Sequence, residues 1–160
     1  MAYPTMAVAN AFIQRAKQDK LRGLTPMKLQ KLLFFAQSWY LKWFNKPLVD
    51  DTFFRWQYGP VIPALYHEFK QYGTRSIDRF GSFVSPDGEI QVIVRDHDAD
   101  AWHVIDEVIR VYGKFSGSEL SDLTHREGSA WAVTGGADGG PIPNEALPKG
   151  LNGGSDEEDT

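Results

Sequence analysis

The chain has 160 residues, 42% of them hydrophobic and 13% aromatic, and no cysteine; it suits one folded domain and excludes disulfides, thiolate metal sites and a cysteine nucleophile. No stretch nears the roughly 20 apolar residues that span a bilayer, and the N-terminus lacks the basic region and apolar run of a signal peptide, so a soluble cytoplasmic protein with no membrane partner is expected. The formal charge of −4 is uneven: residues 1–80 hold 12 Lys and Arg against 5 Asp and Glu, and residues 81–160 hold 5 against 16. Such asymmetry marks a nucleic-acid or protein-binding face, or two halves that neutralise one another across the fold.

In chain order, Ala9, Phe12, Ile13 and Ala16 form the apolar stripe of an amphipathic helix over residues 5–18. Thr25-Pro26 opens a second helix, Thr as N-cap and Pro in the first turn. Leu29, Leu32, Leu33, Ala36, Trp39, Tyr40 and Trp43 make its stripe, and Phe34, Phe35 and Leu41 lie off it. A helix apolar over so much of its circumference is central. Its Lys28, Lys31 and Lys42, with Gln30 and Gln37 nearby, read as a solvated face.

Residues 53–57 read as a short strand before a Tyr58-Gly59-Pro60 turn, and Val61, Leu65, Phe69 and Tyr72 place a third helix over 61–72. Phe80–Val84 and Glu89–Arg95 flank Ser85-Pro86-Asp87-Gly88, a β-hairpin pattern. A fourth helix follows Asp96–Asp98 and runs to Tyr112; a fifth starts at the capping-box spacing Ser116 to Glu119. Beyond Thr134 the chain is rich in Gly and Pro, a flexible connector with one weak turn at Pro143–Leu147. The expectation is a mainly α (α+β) fold: about five helices in a compact bundle with a small β-hairpin. One domain over residues 1–150 would precede a disordered acidic tail over 151–160.

No pattern of residues announces catalysis or a metal. His67-Glu68 lacks the second histidine of HExxH because position 71 is Gln, and His97 and His103 are six apart. Ser121, Asp122 and His125 are close in sequence but have no nucleophile elbow around them. The glycine pairs at 135–136 and 139–140 lack the strand and helix of a phosphate loop. A pI near 5.5 and no reading helix weigh against nucleic acid as a partner. No enzyme activity and no cofactor are expected.

The blocks LTPMKLQKLLFFAQSWYL (24–41), KPL (46–48), WQYGPVIPALYHEFKQYG (56–73) and SELSDLTHREGSAW (118–131) together resemble the Panacea domain. This is the SocA-like antitoxin family, also described as phage-associated proteins, and the order of blocks matches over roughly residues 5–147. Ala130 stands where family members often have Pro, and Pro141, Pro143 and Pro148 would break the family's closing helix. The resemblance implies an antitoxin of a toxin–antitoxin system. It would neutralise a cognate protein toxin by direct binding, with a role as a proteolytic adaptor to a ClpXP-type protease open. Two other readings stand beside it: a DNA-associated repressor of its own operon, and a hydrolase using His67, Glu68 and His125 from converging helices. Interfaces favour aromatic and Arg anchors, so Arg55, Trp56, Tyr58, Tyr66 and Trp131 are candidate partner-binding residues. His67, Glu68, His125 and Glu127, polar positions within the family blocks, join them.

Overall fold

The structure, a computed structural model, describes residues 2–152. Seven α-helices occur among them: α1 (Thr5–Lys17), α2 (Pro26–Phe44), α3 (Pro63–Phe69), α4 (Ala99–Tyr112), α5 (Gly117–Thr124), α6 (Ala130–Val133) and α7 (Ala146–Asn152). A short 3-10 turn, Lys70–Tyr72, extends α3. Strands β1 (Phe53–Trp56), β2 (Gly59–Val61) and β5 (Pro141–Ile142) form an antiparallel sheet of order β2-β1-β5, and β3 (Phe83–Ser85) pairs with β4 (Gly88–Ile90). The mainly helical fold with a small antiparallel sheet is as the sequence predicts.

Helix α2 is the axis of the molecule, and α1, α3, α4, α5, α7 and β2 all pack on it. Thr25 caps it by accepting from Lys28 N–H, and it ends where Asn45 turns left-handed. Leu29, Leu32, Leu33 and Ala36 show no exposure, whereas Trp39 is only half-buried and donates Nε1–H to the Tyr112 hydroxyl at 2.9 Å. The capping box of α5 forms in full between Ser116 and Glu119.

Three expectations need correction. The hairpin over 80–95 is shorter than its alternating pattern suggests, because the chain beyond Ile90 leaves its partner. The Val92 carbonyl instead accepts from Asn10 Nδ2 of α1 at 2.8 Å, and Val94 is buried in the core. The third helix begins at Pro63 because Gly59–Val61 pairs with β1 as a strand. Pro148 does not break the closing helix: it lies at the third position of α7, where a missing N–H costs no intrahelical bond. That helix packs on α2 and α6, and Leu147 is buried. It ends at Asn152, and the acidic segment from 153 onward, the greater part of the expected tail, lies outside the described residues.

Candidate functional site

The most distinctive construction is the β1–β2 hairpin. Its two-residue tip, Gln57-Tyr58, is set by the register Trp56↔Gly59. Backbone carbonyls around this tip meet side chains of the helices beneath. Trp131 Nε1 donates to the Trp56 carbonyl at 2.9 Å, Ser121 Oγ to Tyr58 at 2.6 Å and Lys31 Nζ to Pro60 at 3.2 Å. The His125 ring nitrogens lie 2.6 Å from the Ser121 carbonyl and 2.8 Å from the Gln57 carbonyl, and the ring packs on Trp131 with centroids 4.0 Å apart. Ser121 and His125 therefore position a loop, and their hydroxyl and imidazole are not joined as nucleophile and base.

Arg55 fastens the same hairpin on its other side. Its side chain is 8% exposed, pairs with both oxygens of Asp138 at 2.7 and 3.2 Å, and donates to the Pro141 carbonyl at 2.6 Å. These hydrogen bonds hold the Asp138 carboxyl below its usual range. Backbone bonds from Arg55 N–H to the Gly140 carbonyl and from Gly139 N–H to the Arg55 carbonyl complete the join. Gly135 and Gly140 abut the guanidinium so closely that a Cβ at either would come within 3 Å of it. The stretch expected to be a flexible connector is thus a fitted strap.

Between the start of α2, the hairpin, α3 and residues 137–139 lies a groove of about 690 Å³. Met27, Val61, Leu65 and Phe69 give it an apolar bed, and Trp56 and Tyr66 meet edge to face at 5.2 Å on its wall. Tyr58 and Tyr66, 60% and 40% exposed, stand where a partner can reach them. Lys31 also lines the groove and is 1% exposed; burial lowers its pKa from 10.5 to about 7. Gly59, at φ +114°, lets it lie there: a Cβ would fall 2.7 Å from Lys31 Cε and 2.6 Å from Thr124 Oγ1.

Six of the nine candidate residues fall into two groups. Trp56, Tyr58 and Tyr66 meet at the groove, with Arg55 on its lining, while His125 and Trp131 lie under the hairpin. His67 is exposed against Tyr66, and Glu127 is exposed beyond α5. Glu68 turns elsewhere and accepts from Arg79 and from the Ser82 N–H, both at 3.0 Å. His67, Glu68 and His125 thus share no partner, and the converging trio that a hydrolase reading requires does not form. Among the described residues no cluster of three His, Asp or Glu side chains could hold a metal ion.

The solvated lysine face of α2 is also overturned. Lys28 is 4% exposed and donates to the carbonyls of Arg22 and Gly113, while Lys31 is buried as described. Two members of the basic face on which a DNA-binding reading would stand are therefore turned inward. Lys31, Ser121, Thr124 and Asp138 were not among the expected site residues. The available signal was the helix itself, since a helix apolar nearly all round has little wet surface for a lysine.

The family model described as "Antitoxin SocA-like, Panacea domain" matches residues 29–132, from α2 through α6. The chain belongs to this family. The match contains most of α2, the hairpin, α3, α5 and most of α6, leaves out Met27 and residues 137–139 of the groove, and is narrower than the span of 5–147 expected from the blocks. The chain is also similar to Antitoxin SocA of Caulobacter vibrioides (strain NA1000 / CB15N), at 31% identity over 128 residues, covering 79% of this chain and 68% of that protein. No solved structure matches the chain. Among the described residues no helix is long and apolar enough to cross a membrane.

Proposed function

We propose that this chain is a cytoplasmic antitoxin, a single binding domain that neutralises a cognate protein toxin by direct contact. It uses no cofactor and performs no catalysis. Membership of the antitoxin SocA-like family carries the reading. The groove face supports its physical side. Neutralisation by contact needs about 800 Å² of complementary surface per partner, and anchor residues at such surfaces are enriched in Trp, Tyr and Arg. Trp56, Tyr58 and Tyr66 supply aromatic anchors around an apolar bed.

The test is co-expression with the neighbouring gene, where that gene is toxic alone. Restored growth together with co-purification of the two proteins is expected. Continued toxicity in cells holding soluble co-expressed chain refutes the pairing. We extend the proposal to delivery of the toxin to a ClpXP-type protease, as the family resemblance implies. In that case the toxin's half-life after translation arrest shortens when this chain and the protease are both present. Restored growth with an unchanged half-life means neutralisation by binding alone.

A further inference from the structure

We infer that the groove receives an apolar segment of the protein partner bearing one acidic side chain, and that this carboxylate pairs with Lys31. That the occupant is a protein rests on the antitoxin reading above; that it is apolar and acidic rests on the groove itself. Its bed of Met27, Val61, Leu65 and Phe69 offers hydrocarbon to the partner's side chains. A volume near 690 Å³ is within the range of specific binding pockets.

The charge requirement follows from comparing the cations around it. Lys70 on its lining is exposed to solvent, and Arg55 is taken by Asp138 and the Pro141 carbonyl. Lys28, one turn before Lys31 on α2, is held by two carbonyls at 2.7 and 2.6 Å. Lys31 is different. Its ammonium has three N–H donors but makes one hydrogen bond among the described residues, a 3.2 Å contact to Pro60, and has no carboxylate partner there. A buried charge without a counter-ion is unfavourable, and the depressed pKa of Lys31 reflects the same burial. A carboxylate arriving with an apolar segment supplies the missing charge where water is excluded, so the pair is strong.

The carboxylate belongs to a side chain and not to a chain terminus. Terminal carboxylates are captured by nests of free backbone N–H groups. In the loop bordering the groove three successive ones are spent, so no nest forms: Asp138 N–H donates to the Gly136 carbonyl, Gly139 N–H to the Arg55 carbonyl and Gly140 N–H to the Asp138 carboxylate.

A random seven-residue peptide library, displayed on phage so that no peptide has a free C-terminus, is panned against the full chain and against Lys31→Met. The wild type is expected to enrich peptides with one Asp or Glu flanked by Leu, Ile, Phe or Trp. Lys31→Met, checked for folding by thermal melting, should keep the apolar preference and lose the acidic one. Replacing the acid of the enriched peptide by its amide should weaken binding to wild type by about tenfold, a comparison that does not depend on the variant. Failure to enrich, enrichment without an acid, or an amide peptide that binds equally well overturns the inference. So does an acidic preference that survives in folded Lys31→Met. The panning contains no toxin. A chain that restores growth but selects no acidic peptide loses this inference alone, and one that selects the peptide but never restores growth loses the antitoxin role alone.

Discussion

Lys31→Met should make the free protein more stable at neutral and mildly acid pH, and the gain should disappear as the pH rises. Burial lowers the amine's pKa from 10.5 to about 7. At 1.36 kcal/mol per pKa unit, holding this ammonium in the folded state costs of order 5 kcal/mol relative to the unfolded chain. The sign follows from proton binding. Below pH 7 both states are protonated and the full cost is present. Between about pH 7 and 10.5 the unfolded chain holds a proton that the folded one has released, so wild-type stability rises with pH. Methionine matches the length of the stem and removes the charge. It also leaves the Pro60 carbonyl without the Lys31 donor, a loss of about 1–3 kcal/mol. The net expectation is a variant about 3 kcal/mol more stable at pH 6, roughly a 9 °C rise in Tm for a chain of this size. The advantage falls by up to about 1.4 kcal/mol per pH unit above pH 7 and is gone near pH 9. Urea unfolding of both proteins at pH 6, 7, 8 and 9 measures it. A variant destabilised equally at every pH refutes the reasoning, because Lys31 would then be a net stabilising donor whose charge costs nothing.

Gly59→Ala should cost about 2–4 kcal/mol by urea unfolding, since φ is +114° and the new methyl meets Thr124 and Lys31 within 3 Å. Gln37→Leu removes the acceptor for the Leu48 and Val49 N–H groups, and leaving both buried and unpaired should lower stability by about 2–4 kcal/mol in the same assay. Trp131→Phe keeps the ring against His125 but loses the bond to the Trp56 carbonyl, for about 1 kcal/mol of stability. Tyr58→Ala and His67→Ala should leave the melting temperature nearly unchanged and weaken toxin binding in a pull-down, because both side chains are exposed beside the groove. A large fall in Tm for either would place it in the structure and not at the interface.

Local chemistry made much of the fold legible. The Thr25-Pro26 start, the Ser116 capping box and the stripes of α1 and α2 are properties of neighbouring residues, and each forms where its residues stand. What escaped was non-local. Strand β5 is two residues long and exists because Arg55 and its strand receive the Gly139–Ile142 backbone. The shortened β4 yields its alternating residues to Asn10, which lies 82 positions upstream of the Val92 carbonyl it binds. The aromatic face of the site, Trp56, Tyr58 and Tyr66, was readable from residue type, but the loop-holding roles of His125 and Trp131 depend on contacts across 68 and 75 positions.

Four polar residues of α2 share one purpose. Gln30 exchanges two hydrogen bonds with the Ile62 backbone at 3.0 and 2.9 Å, Gln37 binds Leu48 and Val49, Lys28 binds Arg22 and Gly113, and Lys31 binds Pro60. Each ends a loop or edge strand that no sheet or helix would otherwise satisfy, which is how a central helix comes to carry buried amides and ammoniums. Three of the four suit the groups they bind, since Gln30 and Gln37 pair donors with acceptors and the Lys28 ammonium sits between two carbonyls. Lys31 is the exception, because a neutral glutamine could supply one donor to one carbonyl without the cost of a buried charge. An ammonium at that position is worth keeping if something with negative charge comes to it. The groove on which Lys31 borders is the place where that can happen.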